Sequence, residues 1–323
     1  MAARRTNRTL TGVRGVAVGC AADETLDSGV TAFLFDRLAP TVVDVRGPAS
    51  ATFDTHSLGL EATFGRREAL FLAGGSIYGL DAARGVRTRL LETGRASGAF
   101  GDSYPLGRVS GAALYDLPRT LGTIPDYLPL GYAAASNASD APVPEGRVGA
   151  GRGARVAKYA GFANARAGGQ GSAVARVDRD HALGVVVVFN SVGGVHDPVT
   201  DHWLAASSTR GSRSSPYSAI RFGRGGPARG TTLAVLVTDL ELDRRRLFFL
   251  AEHVHDGIAR VVVPAHTSGE GDCVFAVSTA PESTRAVRAR GTEVSMDTLG
   301  FCAETLVRDA AVRLFRRPGA VRP

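Results

Sequence analysis

Two apolar runs constrain the fold of this chain more than anything else in it. Ala182 to Phe189 is almost all Val and Leu and ends at Asn190, and Thr231 to Leu240 reads Thr-Thr-Leu-Ala-Val-Leu-Val-Thr-Asp-Leu. Runs of this kind, β-branched and without polar alternation, fit strands covered on both faces. The chain must therefore supply layers above and below them. Between the two, Ser207 to Gly230 is rich in Ser, Arg, Gly and Pro and nearly free of aliphatic residues. That composition predicts a mobile, exposed linker. An exposed linker running straight into a buried strand is the arrangement a proteolytic processing site needs.

The remaining pattern supplies those layers. Val30 to Phe35 and Thr41 to Val45 read as strands. Ala69 to Ala73 is a short apolar run followed by a Gly74-Gly75 turn and helical spacing from Leu80 to Leu91, with Ser76 placed to cap that helix. Ala133 to Gly146 reads as a surface loop. Leu247 to Ala259 has helical spacing, Cys273 to Ser278 reads as a strand, and Thr298 to Phe315 as a closing amphipathic helix. The expected class is α/β, with central strands and helices around them, and 323 residues suffice for one large domain of that kind.

Composition excludes several functions. The formal net charge is +7, but the arginines are scattered. The one short cluster, Arg244-Arg245-Arg246, reads as a solvated helix face rather than a nucleic-acid footprint. No apolar run approaches the roughly 20 residues that span a bilayer. Met1 to Leu10 carries charge with no apolar stretch after it, so no signal peptide is expected. Cys20, Cys273 and Cys302 lie too far apart for a disulfide framework or a zinc site, which favours the cytoplasm. Gly149 to Lys158 is glycine-rich but lacks the GxxxxGK[ST] spacing of a phosphate loop. Its Lys158 is the one lysine among 38 basic residues, and a lysine retained among so many arginines points to a need for a primary amine.

No GxSxG nucleophile elbow is present. His253 and His255, two apart on a helix, point in different directions, so the sequence predicts neither a metal site nor a cofactor. What remains is Thr231, after Gly230, at the head of a buried strand. A threonine hydroxyl is a weak nucleophile without an adjacent base, and a cut before Thr231 would turn its own α-amine into that base. The unperturbed pKa of such an amine, about 7.7–8.0, suits work near neutral pH. Taken alone, Thr231 and Thr232 read first as good strand starters.

Several stretches together resemble a known family. They are Gly12-Val-Arg-Gly-Val-Ala-Val-Gly19, Val43-Asp-Val-Arg-Gly47, Ala73-Gly-Gly-Ser-Ile-Tyr-Gly-Leu-Asp-Ala-Ala83, Gly149-Ala-Gly151 through Lys158, Val187-Val-Phe-Asn190, Thr231 to Asp239, His255-Asp-Gly-Ile-Ala-Arg260 and Gly271-Asp-Cys-Val-Phe-Ala276. On these residues the chain resembles the DmpA-type family of L-aminopeptidases and D-esterases/amidases, which includes β-peptidyl aminopeptidases and shares a fold with ornithine acetyltransferase.

The resemblance implies a four-layer αββα sandwich and autoproteolysis into an α chain, 1–230, and a β chain, 231–323. It implies Thr231 as nucleophile and Asn190 as oxyanion donor. A polar or acidic group among Ser268, Glu270 and Asp272 would orient the amine. Tyr115, Asp116 and Lys158 are candidates for holding substrate. The implied activity is hydrolysis of an amide or ester of a small peptide or amino-acid derivative, without cofactor, by a homo-oligomer of αβ units. An acyltransferase of the ornithine acetyltransferase kind and an uncut scaffold are the alternatives. Gly230 stands where many members have Asn, and Ala167-Gly-Gly-Gln-Gly-Ser172 lacks the lysine usual in that stretch.

Overall fold

A computed structural model describes residues 7–98, 104–117, 122–207, 229–281 and 294–316. In chain order the elements are strands β1 (Val16–Asp23), β2 (Ser28–Arg46), β3 (Ala51–Phe53) and β4 (Arg66–Ala73), then helix α1 (Ala82–Glu92). Strand β5 (Val109–Ala113) and helix α2 (Tyr127–Ser136) follow, then strands β6 (Arg155–Val156), β7 (Arg166–Ala167), β8 (Gly169–Arg176), β9 (Ala182–Asn190), β10 (Gly194–Asp197) and β11 (His202–Ala205). The last part comprises β12 (Thr231–Thr238), α3 (Arg244–Val261), β13 (Val262–Val263), β14 (Asp272–Ser278) and α4 (Met296–Arg316).

The main hydrogen-bonded ladder runs β3-β5-β4-β2-β14-β12-β9-β8, with β1 also paired to β2. Strand β2 joins its two halves. Its first part pairs with β1 and β4, and its last part, Thr41 to Arg46, pairs with β14. The β4 register shifts between Leu34 and Ala39, where Asp36 and Arg37 are exposed, and such an irregularity bends a strand. The two strands expected at 30–35 and 41–45 are thus one continuous strand serving two sheets.

Side-chain alternation then defines the layers. Leu233, Val235 and Val237 of β12 meet Phe33, Phe35, Leu70 and Leu72 in a core between the two sheets. The alternate residues Ala234 and Leu236 face outward, onto Leu247, Leu250 and Val254 of α3 and Leu306, Val307 and Leu314 of α4. On the far side, Ala32, Leu34, Phe71 and Ala73 pack against Val86 and Leu90 of α1 and Tyr127 and Ala134 of α2. The order is helices, sheet, sheet, helices: a mixed α/β fold with four layers. Each fully buried Val or Leu contributes about 1.5–3 kcal/mol. Among the described residues, no helix is long and apolar enough to cross a membrane, and all three cysteines are free.

Two local expectations are corrected. Ala133 to Ser136 belongs to α2, capped by the Asp126 side chain accepting from Leu128 N. The helix is poor in large apolar residues because it packs closely: a Cβ on Gly131 would strike the Ala82 backbone. Ser76 does not cap. It sits at φ 56° with its amide donating to Leu114 O, and a 3-10 turn, Ser76–Asp81, precedes α1. The glycine-rich stretch before Lys158 packs rather than cradles, since Gly149 (φ +51°) lies against Thr31 and Cys20, and Gly151 against Gln170. Of the expected linker, Ser207 to Gly230, residues 208–228 lie outside the described residues.

Candidate active site

The ends of three strands meet at one point. Strands β9 and β12 are antiparallel with Thr231 directly opposite Asn190. Strand β14 lies parallel on the other side of β12, with Leu233 beside Cys273. That register brings Asp272, the first residue of β14, alongside Thr232, whose amide donates to Asp272 Oδ1 at 2.5 Å. One residue earlier, Gly230 bridges to Glu270, and Gly230 N donates to Gly269 O at 3.2 Å. Thr231, Asn190, Glu270 and Asp272 are all buried.

The Gly230–Thr231 link holds the hydroxyl beside a carbonyl: Thr231 Oγ1 donates to Gly230 O at 2.5 Å. Asn190 is held on both sides of its amide. Its Oδ1 accepts from Arg155 N at 2.9 Å and Lys158 Nζ at 3.0 Å, while its Nδ2 donates to Tyr115 O at 3.0 Å. Both Oδ1 partners are pure donors, which fixes which end of the amide is oxygen. Nδ2 has two hydrogens and Tyr115 uses one, so a second donor remains for another acceptor.

Lys158 follows Ala157, a residue with left-handed backbone (φ 58°) that starts a short 3-10 turn. Its ammonium also donates to Asn190 O at 2.6 Å. Burial lowers its pKa to about 7, although Glu270, Asp116 and Asp272 pull the other way. Glu270 accepts from Val192 N at 2.8 Å and Thr267 N at 2.9 Å. Burial and the neighbouring Asp272 raise its pKa, since two carboxylates this close resist double ionisation. Asp116 also titrates high, at about 6, through desolvation. Its oxygens accept from Gly75 N at 2.7 Å and Ser28 Oγ at 2.8 Å, so this carboxylate clamps the Gly74-Gly75 turn.

Of the residues expected from the sequence, the structure gathers Thr231, Gly230, Asn190, Glu270, Asp272 and Lys158. Tyr115 joins them through its carbonyl, with Arg229 stacked over its ring at 5.7 Å. Asp116 is adjacent but engaged in the scaffold. Ser268 is not part of the cluster: it is exposed on the turn that leads to Glu270. One residue that sequence reasoning passed over is present. His266 Nδ1 lies 2.7 Å from Asp272 Oδ2, and its nearness in sequence to Glu270 and Asp272 was the available signal.

The other histidines lie elsewhere. His255 is fully buried, and burial drops its pKa to about 3, so it is neutral. Among the described residues, His253, Asp256 and Glu304 form one cluster with metal-ligand chemistry. There His253 Nδ1 already meets Glu304 Oε1 at 2.7 Å and Arg260 pairs with Oε2 at 2.9 Å, which places a positive charge in that corner.

A threonine thus heads a buried strand, opposite an asparagine amide and between two helix-backed sheets. The chain belongs to peptidase family S58, whose sequence profile matches residues 8–315. It is 35% identical over 261 residues to an aminopeptidase of Mycobacterium tuberculosis, covering 78% of this chain and 73% of that one. It is 32% identical over 310 residues to the 6-aminohexanoate-oligomer endohydrolase of Agromyces sp., covering 92% of this chain and 83% of that one. Its fold matches a Burkholderia sp. β-aminopeptidase with TM-score 0.68 at 20% identity, over 95% of this chain and 86% of that one. It also matches the L-aminopeptidase D-Ala-esterase/amidase of Ochrobactrum anthropi with TM-score 0.65 at 22% identity, over 95% and 85%. The latter is described as a prototype of serine aminopeptidases and a variant of the Ntn hydrolase fold. This protein is thus a hydrolase of the self-processing aminopeptidase/amidase class.

Proposed function

We propose that Thr231 is both the agent of self-cleavage and the catalytic nucleophile of the mature enzyme. The observation that carries this reading is the Thr231 hydroxyl 2.5 Å from the Gly230 carbonyl oxygen, with Asn190 directly opposite across the sheet. In self-cleavage, Thr231 Oγ adds to the Gly230 carbonyl carbon, and the C–N bond breaks as the nitrogen takes up a proton. An ester between Gly230 and Thr231 results. Water hydrolyses it, leaving the Gly230 carboxylate, the restored hydroxyl and a free α-amine on a chain of 323 − 230 = 93 residues.

In turnover that amine accepts the hydroxyl proton as Oγ attacks the substrate carbonyl, then returns it to the leaving amine. The acyl-enzyme is released by water. The free hydrogen of Asn190 Nδ2 stabilises the oxyanion, a contribution typically worth about 10²–10³ in rate. Lys158 fixes Asn190 and, being poised near neutrality, sits ready to exchange a proton within the site. Glu270 and Asp272 receive the new ammonium of Thr231. The substrate is a small peptide or amino-acid amide, a reading supported by relatives named as aminopeptidases and as an amide-oligomer hydrolase. A homo-oligomer of αβ units acting in the cytoplasm completes the proposal.

Intact-mass measurement of the purified protein beside Thr231→Ala tests it. Two fragments meeting between Gly230 and Thr231 in the wild type, with only the full chain in the variant, are expected, together with hydrolysis of amino-acid amides by the wild type alone. A wild-type chain still uncut after long incubation removes Thr231 as nucleophile.

A further inference from the structure

His266 does something the proposed chemistry has not yet used. Its backbone is left-handed (φ 53°), a conformation uncommon outside glycine and costly unless the surroundings hold it. The turn that imposes it follows Pro264 and leads to Glu270. In that conformation both His266 nitrogens on the near side converge on one oxygen. Nδ1 lies 2.7 Å, and the backbone N 3.3 Å, from Asp272 Oδ2. The other oxygen of the same carboxylate accepts the Thr232 amide. Asp272 is therefore a two-ended strap, anchored at one end by His266 and at the other by the residue after Thr231.

The surroundings show what the imidazole faces. Asp272 of β14 and Glu270 of the preceding turn are the acidic neighbours; His255 of α3 stands edge-on with ring centroids 5.0 Å apart; Arg46 of β2 is the basic neighbour. Nε2 is buried with no hydrogen-bond partner among the described residues, so the ring has one directed contact, to Asp272. Burial opposes its charge, but the hydrogen bond and charge of Asp272 outweigh that and raise its pKa.

We propose that His266 is a positioning residue: through Asp272 it fixes the first two residues of β12, and its charge keeps that strap taut. The proposal rests on Thr231 being the nucleophile. Until the cut, the peptide bond to Gly230 restrains the head of β12; afterwards Thr231 has one covalent neighbour. The strap then replaces the lost restraint, so its effect belongs to turnover of the cut enzyme more than to folding. As pH rises through the raised pKa of His266 the imidazolium is lost, the pull on Asp272 weakens, and activity falls on the alkaline side.

Three variants of the full chain test this on an amino-acid p-nitroanilide, with Thr231→Ala as the reference for the nucleophile. His266→Ala removes the strap's anchor and is expected to lower kcat about 10- to 100-fold with little change in KM, since a small misplacement of a reacting group is costly. His266→Asn tolerates left-handed backbone, and its side-chain amide reproduces the Nδ1 donor without a charge that titrates. It is expected to recover most of the rate while the alkaline limb of the pH profile shifts or disappears. His266→Gly relieves the backbone without restoring the donor, and should remain as slow as His266→Ala. Equal rates for wild type and His266→Ala, an unchanged alkaline limb in His266→Asn, or full rate in His266→Gly would each overturn the inference. An active Thr231→Ala would instead overturn the reading beneath it.

Discussion

The residue before the cut makes a quantitative test. Gly230 is buried, and its φ lies outside the left-handed region, so alanine there is limited by space alone. A Cβ at 230 would lie 2.8 Å from Ser191 C′ and 3.0 Å from Glu270 Oε1, with Val192 N closer still. Ordinary contact begins at 3.4 Å, so Ser191 alone demands 3.4 − 2.8 = 0.6 Å and Val192 more, about 1 Å in all. Two of these obstacles are backbone atoms of the segment after β9, where Val192 N donates to Glu270, and cannot rotate aside. The displacement instead falls on the Gly230 carbonyl, which leaves its place beside Thr231 Oγ1. A misplacement of about 1 Å costs on the order of 10²-fold in rate, or about 2.7 kcal/mol of barrier. Gly230→Ala should thus form the 93-residue chain about a hundred times more slowly, followed by intact mass over time, with a circular-dichroism spectrum like that of Thr231→Ala. Cleavage at the wild-type rate would refute the claim that the carbonyl's position sets the rate.

Three further outcomes are expected. Asn190→Ala should lower kcat about 10²–10³-fold with a smaller change in KM, measured by steady-state kinetics, because it removes the oxyanion donor and the anchor of Lys158. Lys158→Met should abolish most activity, and it should also change how stability depends on pH. Lys158 falls from a usual value of 10.5 to about 7 on folding, so the unfolded chain binds more protons between those limits and wild-type stability rises with pH there. The melting temperature of wild type relative to Lys158→Met should therefore rise as pH rises from 7 toward 10.5. At Asp197, hydrogen bonds from Arg308 hold the carboxyl well below the usual range against the cost of burial, with Arg316 also bound at 3.0 Å. Its stabilisation is present above the unfolded value, near 4, and is lost as pH falls below it, so thermal melts of wild type and Asp197→Asn should converge in acid.

How much of this was legible beforehand depended on range. Residues 182–190 and 231–238 announced themselves because strands covered on both faces need no alternation. Helix α2 did not, because its seating depends on small residues, Gly131 among them, that read as loop until their partner Ala82 is known. The continuity of β2 was hidden by Asp36, Arg37 and Pro40, which look like a break and act as a bend. Within the site, Glu270 and Asp272 were visible as acids close to each other, but only the parallel register of β12 and β14 selects them over Ser268. Lys158 stood out as a single lysine. His266 offered only its nearness to Glu270 and Asp272, because its contact with Asp272 depends on a left-handed backbone that a histidine seldom adopts.

The strand order carries a consequence for the life of the molecule after cleavage. Strands β14 and β12 follow the proposed cut and lie side by side between β2 and β9, which precede it. Severing one peptide bond therefore does not release two pieces. The segment after the proposed cut stays dovetailed into the part before it, and drawing it out means tearing three ladders and two cores at once. Once unfolded, however, the pieces share no covalent tether, so reassembly becomes a bimolecular event that slows with dilution. An enzyme cut there would owe its persistence to slow unfolding rather than to ready re-formation. The proposed self-cleavage would thus exchange unimolecular refolding for a catalytic amine, once per molecule.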